Sequence, residues 1–111
     1  MSLSKSLVAN KVNTQADTPE IIYTSPANGN GTLITSFTAA NNSTSNKSYK
    51  VYIVNKDSSP ATPQIPYRIV VWEEVDMGIG VVGQVIPSGG SLHIECNDIN
   101  SVYVTVTGKE L

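Results

Sequence analysis

The chain reads as an all-β protein, an antiparallel two-sheet β-sandwich, on three observations. No window holds apolar residues at i, i+3, i+4 and i+7 over three turns without meeting Pro, Gly or a β-branched run, so helix signals are absent. Apolar and polar residues alternate in several short runs, the period of a half-buried strand. Turn formers separate those runs, giving about eight short strands, a number and spacing typical of sandwiches. A jelly roll is favoured over an immunoglobulin-like arrangement.

In chain order, Leu7 to Val12 is the first short strand and Glu20 to Tyr23 the second, which stops at Ser25-Pro26 where proline removes a ladder donor. Ala27-Asn28-Gly29-Asn30-Gly31 then reads as a turn, because Asn and Gly tolerate positive φ. Leu33 to Ala40 alternates, with Leu33, Phe37 and Ala39 on one face, Ser36 and Thr38 on the other, and Phe37 as core anchor. Past the polar stretch Asn41 to Lys47, Tyr49, Val51 and Ile53 alternate with Lys50 and Tyr52. These last two strands form either a hairpin or a pair bridging the sandwich.

Asp57 to Pro66 contains Pro60, Pro63 and Pro66 among small polar residues and is expected to be an extended loop. Tyr67 to Glu73 resumes a strand with apolar residues on both faces, which suits a central strand or one covered by a partner. Met77 to Ile86 is apolar but broken by Gly78, Gly80 and Gly83, implying bulges or close backbone approach. After the Pro87-Ser88-Gly89-Gly90 turn, Leu92, Ile94 and Cys96 alternate with His93 and Glu95. Val102, Val104 and Val106 then alternate with Tyr103, Thr105 and Thr107.

Composition narrows the function classes. At 111 residues one sandwich domain is expected over residues 1–111, with an extended N-terminal arm over residues 1–11. Charged residues make up 14%, well below the usual ~25%, so Ser, Thr and Asn must solvate the surface, and a neutral polar surface costs less to desolvate against a partner. A net charge of -2 with scattered Lys and Arg offers no basic stripe for nucleic acid. Cys96, the one cysteine, excludes an internal disulfide and a cysteine zinc site. Met1 to Lys11 lacks a signal-peptide core and no apolar run approaches the ~20 residues of a membrane span, so a soluble protein made in a cytosol is expected.

The chemistry-bearing residues have ordinary readings. His93 has no second histidine with which to share a metal and falls on the solvent side of its strand. Glu73 and Glu74 are adjacent in a strand, so their carboxylates diverge, and Asp76 completes a solvated acidic patch rather than a catalytic pair. Gly78-x-Gly80-x-x-Gly83 has dinucleotide-site spacing, but a strand and a proline turn follow it instead of a helix. Cys96 lies on the apolar face as a core thiol. No catalytic constellation, cofactor site, metal site or small-molecule substrate is expected. Tyr52, Tyr67, Trp72 and Tyr103 are candidate interface anchors, together with Pro60 and Pro63 of the proline-rich loop and Leu7 of the N-terminal segment.

The run Val85-Ile86-Pro87-Ser88-Gly89-Gly90-Ser91-Leu92 and the close Ile99 to Leu111, with a Val-rich strand entering Thr107-Gly108-Lys109-Glu110, resemble the small capsid decoration proteins of epsilon-fifteen-like short-tailed bacteriophages. Ile22-Tyr23-Thr24-Ser25-Pro26 and Leu33 to Ala40 with Asn41-Asn42 resemble the same family's opening. The resemblance implies a jelly-roll cement protein, made in the host bacterial cytoplasm, on the outer capsid surface of the virion. It would be a homodimer that staples neighbouring major capsid proteins, with no enzymatic activity. The arm Met1 to Lys11 and the loop Asp57 to Pro66 are expected to reach adjacent subunits. A head-to-tail or tail accessory protein and a carbohydrate-binding sandwich are the alternatives.

Overall fold

The computed structural model describes residues 3–60, 65–71 and 75–111, with the backbone alone described over 65–71. The described residues form nine strands and no helix: β1 (Lys5–Val12), β2 (Glu20–Thr24), β3 (Thr32–Asn41), β4 (Lys47–Val54), β5 (Ile65–Val71), β6 (Val75–Asp76), β7 (Val85–Ile86), β8 (Ser91–Cys96) and β9 (Val102–Glu110).

All pairings are antiparallel and make two sheets. Sheet A has the order β1-β9-β3-β6, with β7 also on β3, and sheet B the order β2-β8-β4-β5. The period-two runs explain the result directly. Val102, Val104 and Val106 of β9 and Ile34, Phe37 and Ala39 of β3 turn inward from sheet A. Tyr49, Val51 and Ile53 of β4 and Leu92, Ile94 and Cys96 of β8 turn inward from sheet B, and all join one buried cluster. Phe37 of sheet A stacks on Tyr49 of sheet B, ring centroids 6.0 Å apart and 16° from parallel, so one aromatic pair spans the gap between sheets. β3 and β4 therefore bridge the two layers and do not form a hairpin.

Four expectations are corrected. Residues 5–12 are not a free arm: β1 pairs with β9 from Lys5 to Val12, because its apolar positions, led by buried Val8, complete the end of sheet A. The radius of gyration, 13.2 Å, matches the ~13 Å of a compact chain of this length. In β3 a register shift between Ile34 and Ser36 reverses the alternation, burying Ile34 and leaving Leu33 half-buried outside the core. β5 begins at Ile65 and includes Pro66, and it is an end strand of sheet B rather than a central one. Met77 to Ile86 is not a bulged strand. Only Val85–Ile86 within it, and Val75–Asp76 just before it, pair with β3, at that strand's two ends.

Between those stubs residues 77–84 turn alongside β3. Gly78, Gly80 and Gly83 adopt φ of 65°, 91° and 94°, Ile34 N–H donates to the Gln84 carbonyl (3.0 Å), and Gly83 N–H donates to the Ile34 carbonyl (2.8 Å). The glycine motif is thus a backbone device that lets a turn lie flush against an edge.

Candidate interaction surface

The outer face of sheet A is built by register. Tyr103 of β9 pairs with Val12 of β1 and with Ala40 of β3, and Ala40 pairs with Val75 of β6, so an apolar row crosses the whole sheet. Beside it Thr105 pairs with Thr38, and Thr107 pairs with Ser36 and Ser6. These rows contain no charged side chain. Hydroxyls fix parts of the face: Asn10, held at φ 48°, donates its N–H to Thr105 Oγ1 (3.2 Å), and Thr35 Oγ1 donates to the Thr107 carbonyl (3.2 Å).

The row leads at Val75 into a strip along the open side of β3. Val75, Met77, Ile79, Val82 and Val85 are all exposed, Ile79 at 80% and Met77 at 60%. Asp76 sets how the strip begins: its Oδ1 accepts from the Tyr49 hydroxyl (3.1 Å) and from Gly78 N–H (2.8 Å), which turns Met77 outward. Contiguous exposed apolar residues mark sites of association. The segment is thus divided rather than a strand: Val81 and Ile86 enter the core, while Met77, Ile79, Val82 and Val85 stay outside it.

Of the seven candidate residues, Tyr103 is half-buried on the outer face of sheet A between Val12 and Ala40. Tyr52 is also on an outer face but is only 7% exposed, and its hydroxyl donates to Glu95 Oε1 (2.9 Å); a covered ring with a satisfied hydroxyl is not an available anchor. Leu7 packs half-buried against the core, and Pro60 is half-buried in a turn. Tyr67 is in β5, and Trp72 and Pro63 lie outside the described residues, as do Glu73 and Glu74. Among the described residues, Tyr103 and Tyr52 lie on the outer faces of different sheets and Leu7 packs against the core, so these three do not form one site.

The charged groups tie strands together. Glu20 accepts from Thr14 N–H (2.9 Å), Thr14 Oγ1 (2.9 Å), Gln15 N–H (3.0 Å) and Asn13 Nδ2 (3.0 Å). Burial pushes its carboxyl up, but the bonds from Gln15, Thr14 and Asn13 outweigh that and hold it below the ordinary range. Tyr23 donates to Glu110, which also pairs with Lys5. Burial first, and then that bond, push the Tyr23 hydroxyl up to about 12. Burial lowers His93 and raises the Cys96 thiol, leaving an imidazole and a thiol that are neutral near pH 7. Among the described residues no group of three or more His, Cys, Asp and Glu is placed to hold a metal ion, and no helix is long and apolar enough to cross a membrane.

Compared with protein-family models, with curated proteins and with solved structures, the chain matches none.

Proposed function

We propose that this protein is a non-enzymatic capsid cement, bound as a homodimer to the outer surface of a phage shell where it staples neighbouring major capsid proteins. The observation that carries the reading is the outer face of sheet A, where the Val12–Tyr103–Ala40–Val75 row runs beside hydroxyl-bearing rows, all of them without charge. Such rows lose little on desolvation, keep hydrogen-bonding capacity, and include one aromatic side chain, the composition of a protein-binding patch. Contacts too weak to hold one copy suffice when a dimer grips two subunits at once.

For the finer fold we infer a jelly roll, which the strand order supports. Taking the two stubs on β3 as one strand position, the pairings β1·β9, β9·β3 and β3·β6 in one sheet interleave with β2·β8, β8·β4 and β4·β5 in the other. This is the order produced by rolling up a long antiparallel hairpin. An immunoglobulin-like sandwich would instead place β1 and β2 side by side, whereas here they occupy different sheets. The jelly-roll order accords with the resemblance to decoration proteins.

The test is thermal disruption of shells lacking the protein, with and without added purified chain. Cement raises the disruption temperature in proportion to occupancy. An unchanged temperature at saturating protein contradicts the reading.

A further inference from the structure

β5 differs from the other strands at the sheet ends. β1 meets β9 through two register shifts, β2 is five residues long with one shift, and β6 and β7 are two residues each. Short or irregular edges discourage accidental pairing. β5 has neither feature and pairs with β4 over seven consecutive residues without a shift.

The direction of its backbone groups follows from the far side of β4. Ser48 sends both groups toward β8: its N–H donates to Asn97 Oδ1 (3.0 Å) and its carbonyl accepts from Asn97 N–H (3.1 Å). Antiparallel strands alternate, so Lys47, Tyr49, Val51 and Ile53 turn toward β5, and Val71, Ile69, Tyr67 and Ile65 answer them. Pro66, Arg68 and Val70 face away. Proline, lacking an N–H, occupies an outward position, where an edge strand tolerates it. Arg68 and Val70 present their N–H and C=O groups outward, and no described strand pairs with them. β5 also borders β3 and β6 across the gap between the sheets, on the side that carries the exposed Met77 and Ile79 strip.

We infer that β5 is the edge through which two copies of this chain pair, antiparallel, with Ile69 on the two-fold axis. Outward residues must meet outward residues, and engaging at least two of them within β5 limits the axis to Tyr67, Arg68 or Ile69. An axis at Tyr67 sets Arg68 against Pro66, which has no N–H to give. An axis at Arg68 opposes two like charges. An axis at Ile69 lets Arg68 and Val70 exchange all their backbone bonds, with the only charged residue of β5 opposite a valine.

The same rotation continues sheet B across both copies and brings the two exposed strips together in the second layer, an isologous contact. A single added peptide strand would satisfy β5 but leave the strip uncovered, whereas a second copy covers both. This deepens the homodimer part of the reading above and stands independently of the capsid.

The experiment is amide hydrogen exchange across a dilution series of the full chain, with sedimentation equilibrium of the parent, Ile79→Lys and Val70→Pro. The parent is expected to dimerise, with Arg68 and Val70 amides protected at high concentration and released on dilution while Ile69 stays protected throughout. Both variants should weaken the dimer at least roughly tenfold. The Ile69 amide in Val70→Pro reports whether β5 remains paired with β4. A parent that stays monomeric, or dimerises with Arg68 and Val70 exchanging freely, overturns the inference. Protection that arises only after shells are added also overturns it, and reassigns the edge to a strand of the capsid protein.

Discussion

Gly78 lies flat against the ring of Phe37, so close that a Cβ built on it would fall inside the ring's contact distance. Its φ of +65° already disfavours a side chain. Gly78→Ala is therefore expected to destabilise by about 2–4 kcal/mol, from overpacking added to left-handed strain. Gly83, at φ +94° with nothing within 4 Å of its Cβ position, carries only the backbone part, so Gly83→Ala should cost about 1–2 kcal/mol. Urea midpoints of the two variants against the parent decide this; equal losses would mean that Phe37 does not press on the turn.

Glu20 predicts acid behaviour. Its folded pKa is lowered, so its contribution is present above the unfolded value of about 4.3 and disappears as pH falls through the lower folded value. Glu20→Gln should melt below the parent at pH 7 and converge with it near pH 2. Asp98 and Glu110, held down by Lys47 and Lys5, titrate in the same window. The difference between the two melting curves, rather than the parent's alone, therefore isolates Glu20.

Tyr23 predicts the alkaline limb. With the folded hydroxyl pushed up to about 12, its stabilisation is whole below pH ~10 and is lost as pH rises toward the folded value. Ultraviolet titration should show a late-ionising tyrosine that vanishes in Tyr23→Phe. That variant should lose about 1–2 kcal/mol at neutral pH, and less above pH 12. A parent whose tyrosines all ionise near 10 would contradict the Tyr23–Glu110 bond.

Tyr103 separates shell contact from dimer contact. On the proposed reading, Tyr103→Ala should weaken shell binding by about 2 kcal/mol, roughly thirtyfold, as expected for an aromatic anchor, while leaving the sedimentation equilibrium of the free protein unchanged. Ile79→Lys should do the reverse in solution and weaken shell binding only through lost bivalency. If Tyr103→Ala binds shells like the parent, the outer face of sheet A is not the contact.

Most of the sheet framework was legible because period-two alternation fixes which side chains are inward. Leu92, Ile94 and Cys96, and Val102, Val104 and Val106, are buried as their spacing demands. Leu33 was misassigned because one bulge at Thr35 reverses a face without leaving a mark in composition. Leu7 to Val12 is legible as a strand, and β1 contains it; the arm expected over residues 1–11 overlaps that strand, whose polar and irregular residues are what an edge strand carries. The strip from Val75 to Val85 escaped notice because apolar residues suggest burial. The turn built on Gly78, Gly80 and Gly83, all at positive φ, buries Val81 and leaves Met77, Ile79 and Val82 exposed.

The most direct test of the central claim is co-sedimentation of the purified protein with shells that lack it, counting bound copies at saturation. Binding that saturates in proportion to the number of capsid subunits is the predicted result. Saturation at only a few copies would point to a head-to-tail or tail accessory role. Absence of binding, with glycans retained by the isolated chain instead, would contradict the capsid reading altogether.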